Sequence, residues 1–330
     1  MGSCTFPSKP YIIGVLYETQ EVFTKRITTT MAHHTHIVDD GGQGERLDRF
    51  LTDRAATVSR AELQRAIRDG LVTVDGALCR QPSRRLREGE TITWTHIEQP
   101  PLTPRPLPIP ILFEDEDLVV VDKPEGLVVH PGAGTSAVTL VEAVLHDRRL
   151  APSDDPRRPG MVHRLDKDTS GVIVLAKTAV ALASLKGQFA DRSVRKLYIA
   201  VVGGVIEEDE GLIDAPILRD PKHPRRMGIG SSGRPSQTAF RVLRRESGST
   251  LLLVRPITGR THQVRVHFHH IGHPVVGDPL YGRPATRLLL HAFRLWVDHP
   301  ATGERCRFEA SVPEAFPAHD YAALDGSSLR

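Results

Sequence analysis

The chain is short of cysteine, of long apolar runs and of the common cofactor signatures. Cys4, Cys79 and Cys306 are its only cysteines, far apart and without a CxxC pair. That excludes a disulfide framework and a thiolate metal site, and it suits a reducing, cytoplasmic setting. No apolar stretch approaches ~20 residues, so no membrane span or membrane partner is expected. No GxGxxG opens a helix after the first strand, and GxxxxGK[ST] and HExxH do not occur. Dinucleotide, nucleoside triphosphate and zinc-hydrolase readings are therefore unsupported. Charge of one sign is also scarce. The net charge of +3 over 330 residues is too small to argue for nucleic acid by itself, so the placement of charge matters more. The length allows two domains.

Residues 1–44 show no periodicity and end in glycines, so they read as a disordered leader. Met31 is an alternative start, which would leave residues 1–30 outside the native chain. "HHTH" (His33, His34, His36) reads as solvated tail histidines rather than a metal site. Phe6 breaks the myristoylation pattern that "MGSC" begins.

From residue 45 to 98 the pattern is helix, helix, hairpin. Leu47, Phe50 and Leu51 make one apolar stripe, and Leu63, Ala66 and Ile67 a second. Ser59 and Glu62 have capping-box spacing, and Gly70 is a stop signal. Asp75-Gly76 is a strong hairpin turn. Arg60, Arg65 and Arg68, with Arg80, Arg84, Arg85 and Arg87, form either a phosphate-binding face or a merely solvated one. "SRAELQRAIRDGLVTVDG" resembles the small RNA-binding module of ribosomal protein S-four. Residues 99–108 are proline-dense and read as an extended linker.

The rest, 109–322 with a tail at 323–330, alternates strands with irregular loops and a few helices. It reads as α+β with a mostly antiparallel mixed sheet. "THQVRVHFHH" reads as a strand of period two, His262, Val264, Val266 and Phe268 on one face and Gln263, Arg265 and His267 on the other. Arg265 could then grip a carboxylate or phosphate with its planar fork. The histidines lack an acidic or thiolate neighbour in sequence, so no metal is expected there. The loop 219–238 gathers Arg219, Lys222, Arg225, Arg226 and Arg234 among prolines and glycines, and reads as a mobile phosphate clamp.

"HRLDKDTSG" (163–171) is the densest group of polar chemistry. Asp166 lies between Arg164 and Lys167, and flanking cations favour a carboxylate in its charged, nucleophilic form. Asp168, Thr169 and Ser170 read as a turn. Taken alone, the stretch fits a plain charged turn as well as a site.

"GMVHRLDKDTSGVIVLAKT", "RKLYIAVVGG" and "RPITGRTHQVRVHFHHIGHPVVGDPLYG", in this order, resemble the pseudouridine synthases of the RluA/RluD type, and "LVVVDKPEGLVVHP" fits too. The resemblance implies the pseudouridine synthase fold behind an RNA-binding domain, and isomerisation of uridine without cofactor or metal. It makes Asp166 the essential aspartate, Tyr198 the tyrosine against the base, and Arg265 the partner of the aspartate. Arg164 would fill the space left by a flipped uridine, and Arg260 is read as a further RNA contact. Large-subunit ribosomal RNA is the expected partner, transfer RNA the alternative, and a monomer the default. A non-catalytic RNA-binding factor and a hydrolytic glycosidase or nuclease are the rival classes. Binding alone needs no such carboxylate, and hydrolysis would need a second acid.

Overall fold

A computed structural model describes residues 31–55, 58, 60–97, 102–132, 137–324 and 329. The chain divides into two compact units, residues 1–47 with 65–99 and residues 48–64 with 100–330. No helix of the described residues is long and apolar enough to cross a membrane.

The first elements are β1 (Met31–Ile37), α1 (Leu47–Arg54), α2 (Arg60–Asp69), β2 (Val72–Val74), β3 (Ala77–Leu78) and β4 (Thr91–Ile97). The strands form one sheet in the order β1-β4-β2-β3. β1 corrects the expectation of a leader running to residue 44. It pairs antiparallel with β4, Met31 opposite Ile97 and Ile37 opposite Thr91. His34 stacks on its cross-strand partner Trp94, ring centroids 4.5 Å apart, so this histidine is not a solvated tail residue. Residues 1–30 and the Ser59 cap lie outside the described residues. The hairpin forms as Asp-Gly predicts, with φ of 51° at Asp75 and 76° at Gly76. Both apolar stripes of α1 and α2 are buried.

The larger unit follows with β5 (Ile111–Glu114), β6 (Leu118–Lys123), α3 (Leu140–Asp147), β7 (Ser170–Ala176), α4 (Ala179–Asp191), β8 (Arg195–Gly203), β9 (Glu210–Asp214), β10 (Ile217–Arg219) and β11 (Met227–Ile229). It ends with β12 (Gln237–Glu246), β13 (Ser249–Pro256), α5 (Gln263–His270), β14 (Leu290–Asp298) and β15 (Arg305–Glu309). One sheet runs β5-β6-β7-β14-β8-β13-β12-β9, with β15 also on β14. Every pairing is antiparallel except β7 with β14, which meet over two residue pairs, His291–Ser170 and Ala292–Gly171. The central strands are buried on both faces. Leu182 and Leu185 of α4 cover one side of β6 and β7, and Leu140, Val141 and Val144 of α3 cover the other. Over β8 and β13, Val264 and Phe268 cover one side and Phe316 the other. Leu324 and Leu329 join that second cluster, so the expected tail contributes to the core.

Two further expectations are corrected. Residues 263–270 are a helix, not a strand. Gln263, Val264, Arg265, Val266, His267 and Phe268 are all buried, so no exposed face breaks the pattern and period two carries no information. The basic loop 219–238 is partly ordered as a hairpin, with β10 and β11 paired from Ile217–Ile229 to Arg219–Met227.

Candidate active site

The stretch 163–169 leads into β7 and is held at both ends. The His163 Nε2 accepts the Val174 N–H at 3.1 Å, and its ring stacks on Phe189. Burial, then the neighbouring Lys196, pushes His163 down to about 3. Leu165 is buried in the core beneath the sheet. The Thr169 N–H closes the turn on the Asp166 carbonyl at 3.2 Å. The Ser170 hydroxyl sits between Arg287 and His291, each at 2.9 Å. Lys123, fully buried, donates to the carbonyls of Pro124, Leu127 and Lys167 at 2.8, 2.9 and 2.9 Å. Burial pushes that ammonium down to about 8, with Asp168 and Asp166 acting against the shift. These supports leave Asp166 partly exposed at the rim of a cleft of about 410 Å³.

α5 brings Arg265 to the same place. Its Nη1 donates to Asp166 at 3.1 Å, while Nε and Nη2 grip Asp278 at 2.7 and 2.8 Å. Asp278 is fully buried and also accepts the N–H groups of Leu280 and Tyr281. Burial opposes its charge, but the Arg265 bonds outweigh that and hold its carboxyl below the usual range. Arg265 is pushed up against the same burial by Asp278 and Asp166. A carboxylate on each side thus fixes the planar fork. Asp278 was not singled out in the sequence, since Gly277, Pro279 and Gly282 around it signal only a turn.

His262 precedes α5 with a left-handed backbone, φ 55°. Its Nε2 stands 4.0 Å from the Asp166 carboxylate, and its Nδ1 lies 2.9 Å from the Tyr281 hydroxyl. Burial holds this histidine below its ordinary value, with Asp166 pulling the other way. His262 too escaped the sequence reading, which spent it on a strand face.

Tyr198 projects from β8 into the cleft, where burial, then the Asp166 charge, pushes its phenol up. Arg164 is exposed on the lining. Arg260 lines it as well, with a buried Nε that has no hydrogen-bond partner among the described residues. Asp166, Tyr198, Arg265, Arg164 and Arg260 therefore share one cleft. The other expected RNA contacts do not line it. Arg225 is exposed on the β10–β11 turn, and Arg226 lies over the Tyr281 ring at 5.5 Å. Arg65 and Arg68 are exposed on α2, whereas Arg60 is tied to the buried Asp48 at 2.9 Å.

Residues 117–270 match the RNA pseudouridylate synthase family model, and residues 45–92 match the S4 domain. An uncharacterised RNA pseudouridine synthase of Aquifex aeolicus is 43% identical over 293 residues, covering 83% of this chain and 92% of that protein. The ribosomal large subunit pseudouridine synthase D of Nitrosomonas europaea is 42% identical over 308 residues, 87% of this chain and 85% of that protein. Among solved structures, human RNA pseudouridylate synthase domain containing 1 superposes with a TM-score of 0.52 at 30% identity. That match covers 62% of this chain and 83% of the human one. Such identity over most of both chains reflects common descent, and the chain belongs to the RNA pseudouridine synthases, isomerases that act on RNA.

Proposed function

We propose that the protein converts uridine to pseudouridine in large-subunit ribosomal RNA, with Asp166 as the reacting carboxylate. The observation that carries the site is a matter of charge. Asp166 is the one acidic residue lining the cleft among the described residues, and Arg164, Arg192, Lys196, Arg260 and Arg265 surround it. A polyanion is drawn to such a rim, and a single carboxylate within it suits a sugar carbon that becomes positive. The choice of RNA rests on relatives named for the large ribosomal subunit and on the S4 domain in front. A cytoplasmic location fits action on ribosomal RNA.

A uridine in folded RNA hides its glycosidic bond, so the base leaves the stack at a cost of a few kcal/mol. Arg164, exposed at the rim, fills the vacancy and offsets part of that cost by stacking. The flipped base lies against Tyr198, a contact worth on the order of 1–3 kcal/mol. The bond from the sugar to the ring nitrogen breaks beside Asp166. The uracil turns within the cleft, a carbon of the ring takes the nitrogen's place, and that carbon gives up its proton while the freed ring nitrogen takes one up. The product is an isomer of the substrate, so the balance needs no oxidant, reductant or water. Arg265 holds Asp166 in place throughout.

The test is expression in cells that lack their own ribosomal pseudouridine synthases, followed by chemical mapping of pseudouridine in ribosomal and transfer RNA. Wild type should restore pseudouridine in large-subunit RNA and Asp166→Asn should not. Modification of transfer RNA alone overturns the choice of RNA, and full activity in Asp166→Asn overturns the site.

A further inference from the structure

Tyr281, from the segment between α5 and β14, touches three parts of the larger unit. Its hydroxyl accepts the Met227 N–H of β11 at 2.7 Å and lies 2.9 Å from His262 Nδ1. Its ring packs under the guanidinium of Arg265 at 5.3 Å and that of Arg226 at 5.5 Å. The hydroxyl is the end of a buried side chain, 4% exposed, so its proton needs a partner within the protein.

The proton's position follows from the donors. A backbone N–H can only donate, so Met227 takes an acceptor site on the phenol oxygen. The phenol proton is then left to donate, and His262 Nδ1 is the acceptor beside it. An imidazole that accepts at Nδ1 carries its own proton on Nε2. In His262 that nitrogen faces Asp166 at 4.0 Å. A contact of this length is open without substrate, and catalytic hydrogen bonds of this kind tighten when the site is filled.

We infer that His262 is a second positioning residue for Asp166, locked by Tyr281 and the Met227 amide as the tautomer that presents an Nε2–H to the carboxylate. This rests on Asp166 being the reacting group. Arg265 Nη1 donates to Oδ2 of the carboxylate at 3.1 Å and His262 Nε2 faces the same oxygen at 4.0 Å, so two donors aim it. The lock begins on β11, the strand that carries Arg226 at its entrance, so a chain of hydrogen bonds runs from the basic hairpin to His262, whose Nε2 faces the carboxylate. The left-handed backbone of His262 fits this role, since asparagine or glycine would sit there with less strain.

That strain provides the test. Asparagine suits the left-handed backbone and mimics only the Nδ1 side of the ring, whereas glutamine suits it poorly but places an N–H near the Nε2 position. Positioning therefore predicts the order opposite to backbone preference. His262→Asn should lower kcat by about 10- to 100-fold with KM for RNA unchanged, while His262→Gln should recover most of the loss. Tyr281→Phe keeps the ring packing and should lower kcat in the same direction. It carries the test alone if His262→Gln does not fold. Nitrogen NMR of histidine-labelled protein should show His262 protonated on Nε2 in wild type and as a mixture of tautomers in Tyr281→Phe. Activity of His262→Asn equal to or above that of His262→Gln overturns the inference, as does a wild-type His262 protonated on Nδ1. A wild type that makes no pseudouridine is a different failure, that of the proposed function, and the NMR result stands apart from it.

Discussion

Asp278 holds two N–H groups on one edge of the Arg265 guanidinium and leaves a third N–H for Asp166. The fork cannot turn away from Asp166 without breaking two buried bonds. Asp278→Asn removes the charge that compensates a buried guanidinium, and such a change costs about 3–5 kcal/mol. The expected result is a lower urea midpoint together with at least a tenfold drop in kcat. RNA affinity should change little, because Asp278 is fully buried. A variant with wild-type stability and turnover would show that the Arg265–Asp166 contact needs no such brace.

Stability should fall in mild acid, and His163 should account for part of the fall. Its value is about 3 in the folded protein against 6.5 for a free histidine, because burial disfavours the charged ring. Between those limits the unfolded chain binds the extra proton. The contribution is therefore complete above pH 6.5 and is lost as the pH falls toward 3. His130 and His291, each pushed down to about 4 by burial, act in the same direction. Urea titrations at stepped pH should give a slope that flattens by up to about 1.4 kcal/mol per pH unit in His163→Gln. An unchanged slope would mean that this histidine takes up its proton as readily in the folded protein as in the unfolded chain.

Arg65 and Arg68, exposed on α2, should act on RNA through charge alone. Replacing either by alanine should weaken binding to unrelated RNA sequences alike and lower the slope of log affinity against log salt by about 1. Turnover at saturating RNA should be unchanged. Affinity that ignores salt would assign these arginines to the solvated surface.

Much of the architecture could be read from the sequence where polar and apolar residues alternate against solvent. The α1 and α2 stripes are of this kind; the Asp75-Gly76 hairpin is marked by its turn, and the doubly buried strands of the large sheet by short β-branched and aromatic runs between turns. Reading failed at a helix buried around most of its surface. In 263–270, Gln263 and His267 look like surface residues, yet each spends its polar atoms inside on Thr238. No period betrays a helix whose polar residues are satisfied internally. β1 was missed for the opposite reason. In "MAHHTHI" exposure alternates from His33 to Ile37 but the residue types do not, and stacking on Trp94 supplies what hydrophobicity does not. Within the site, Asp166 could be named from its motif, but Asp278, Tyr281 and His262 could not be assigned. Their importance lies in what they touch across turns of the chain, and spacing carries no trace of that.

The sheet order has a consequence for synthesis of the protein. Asp166 precedes β7, and Arg265 follows β13. Between those two halves of the sheet lies β14, made after every strand of both halves. As translation proceeds, each half can assemble its own antiparallel pairs from strands close in sequence. The two cannot be zipped into one sheet until residues 290–298 have left the ribosome and inserted. The carboxylate and its arginine thus meet late. A growing chain on a ribosome carries the S4 domain long before it carries a working site, and it becomes an isomerase only after residues 290–298 have emerged.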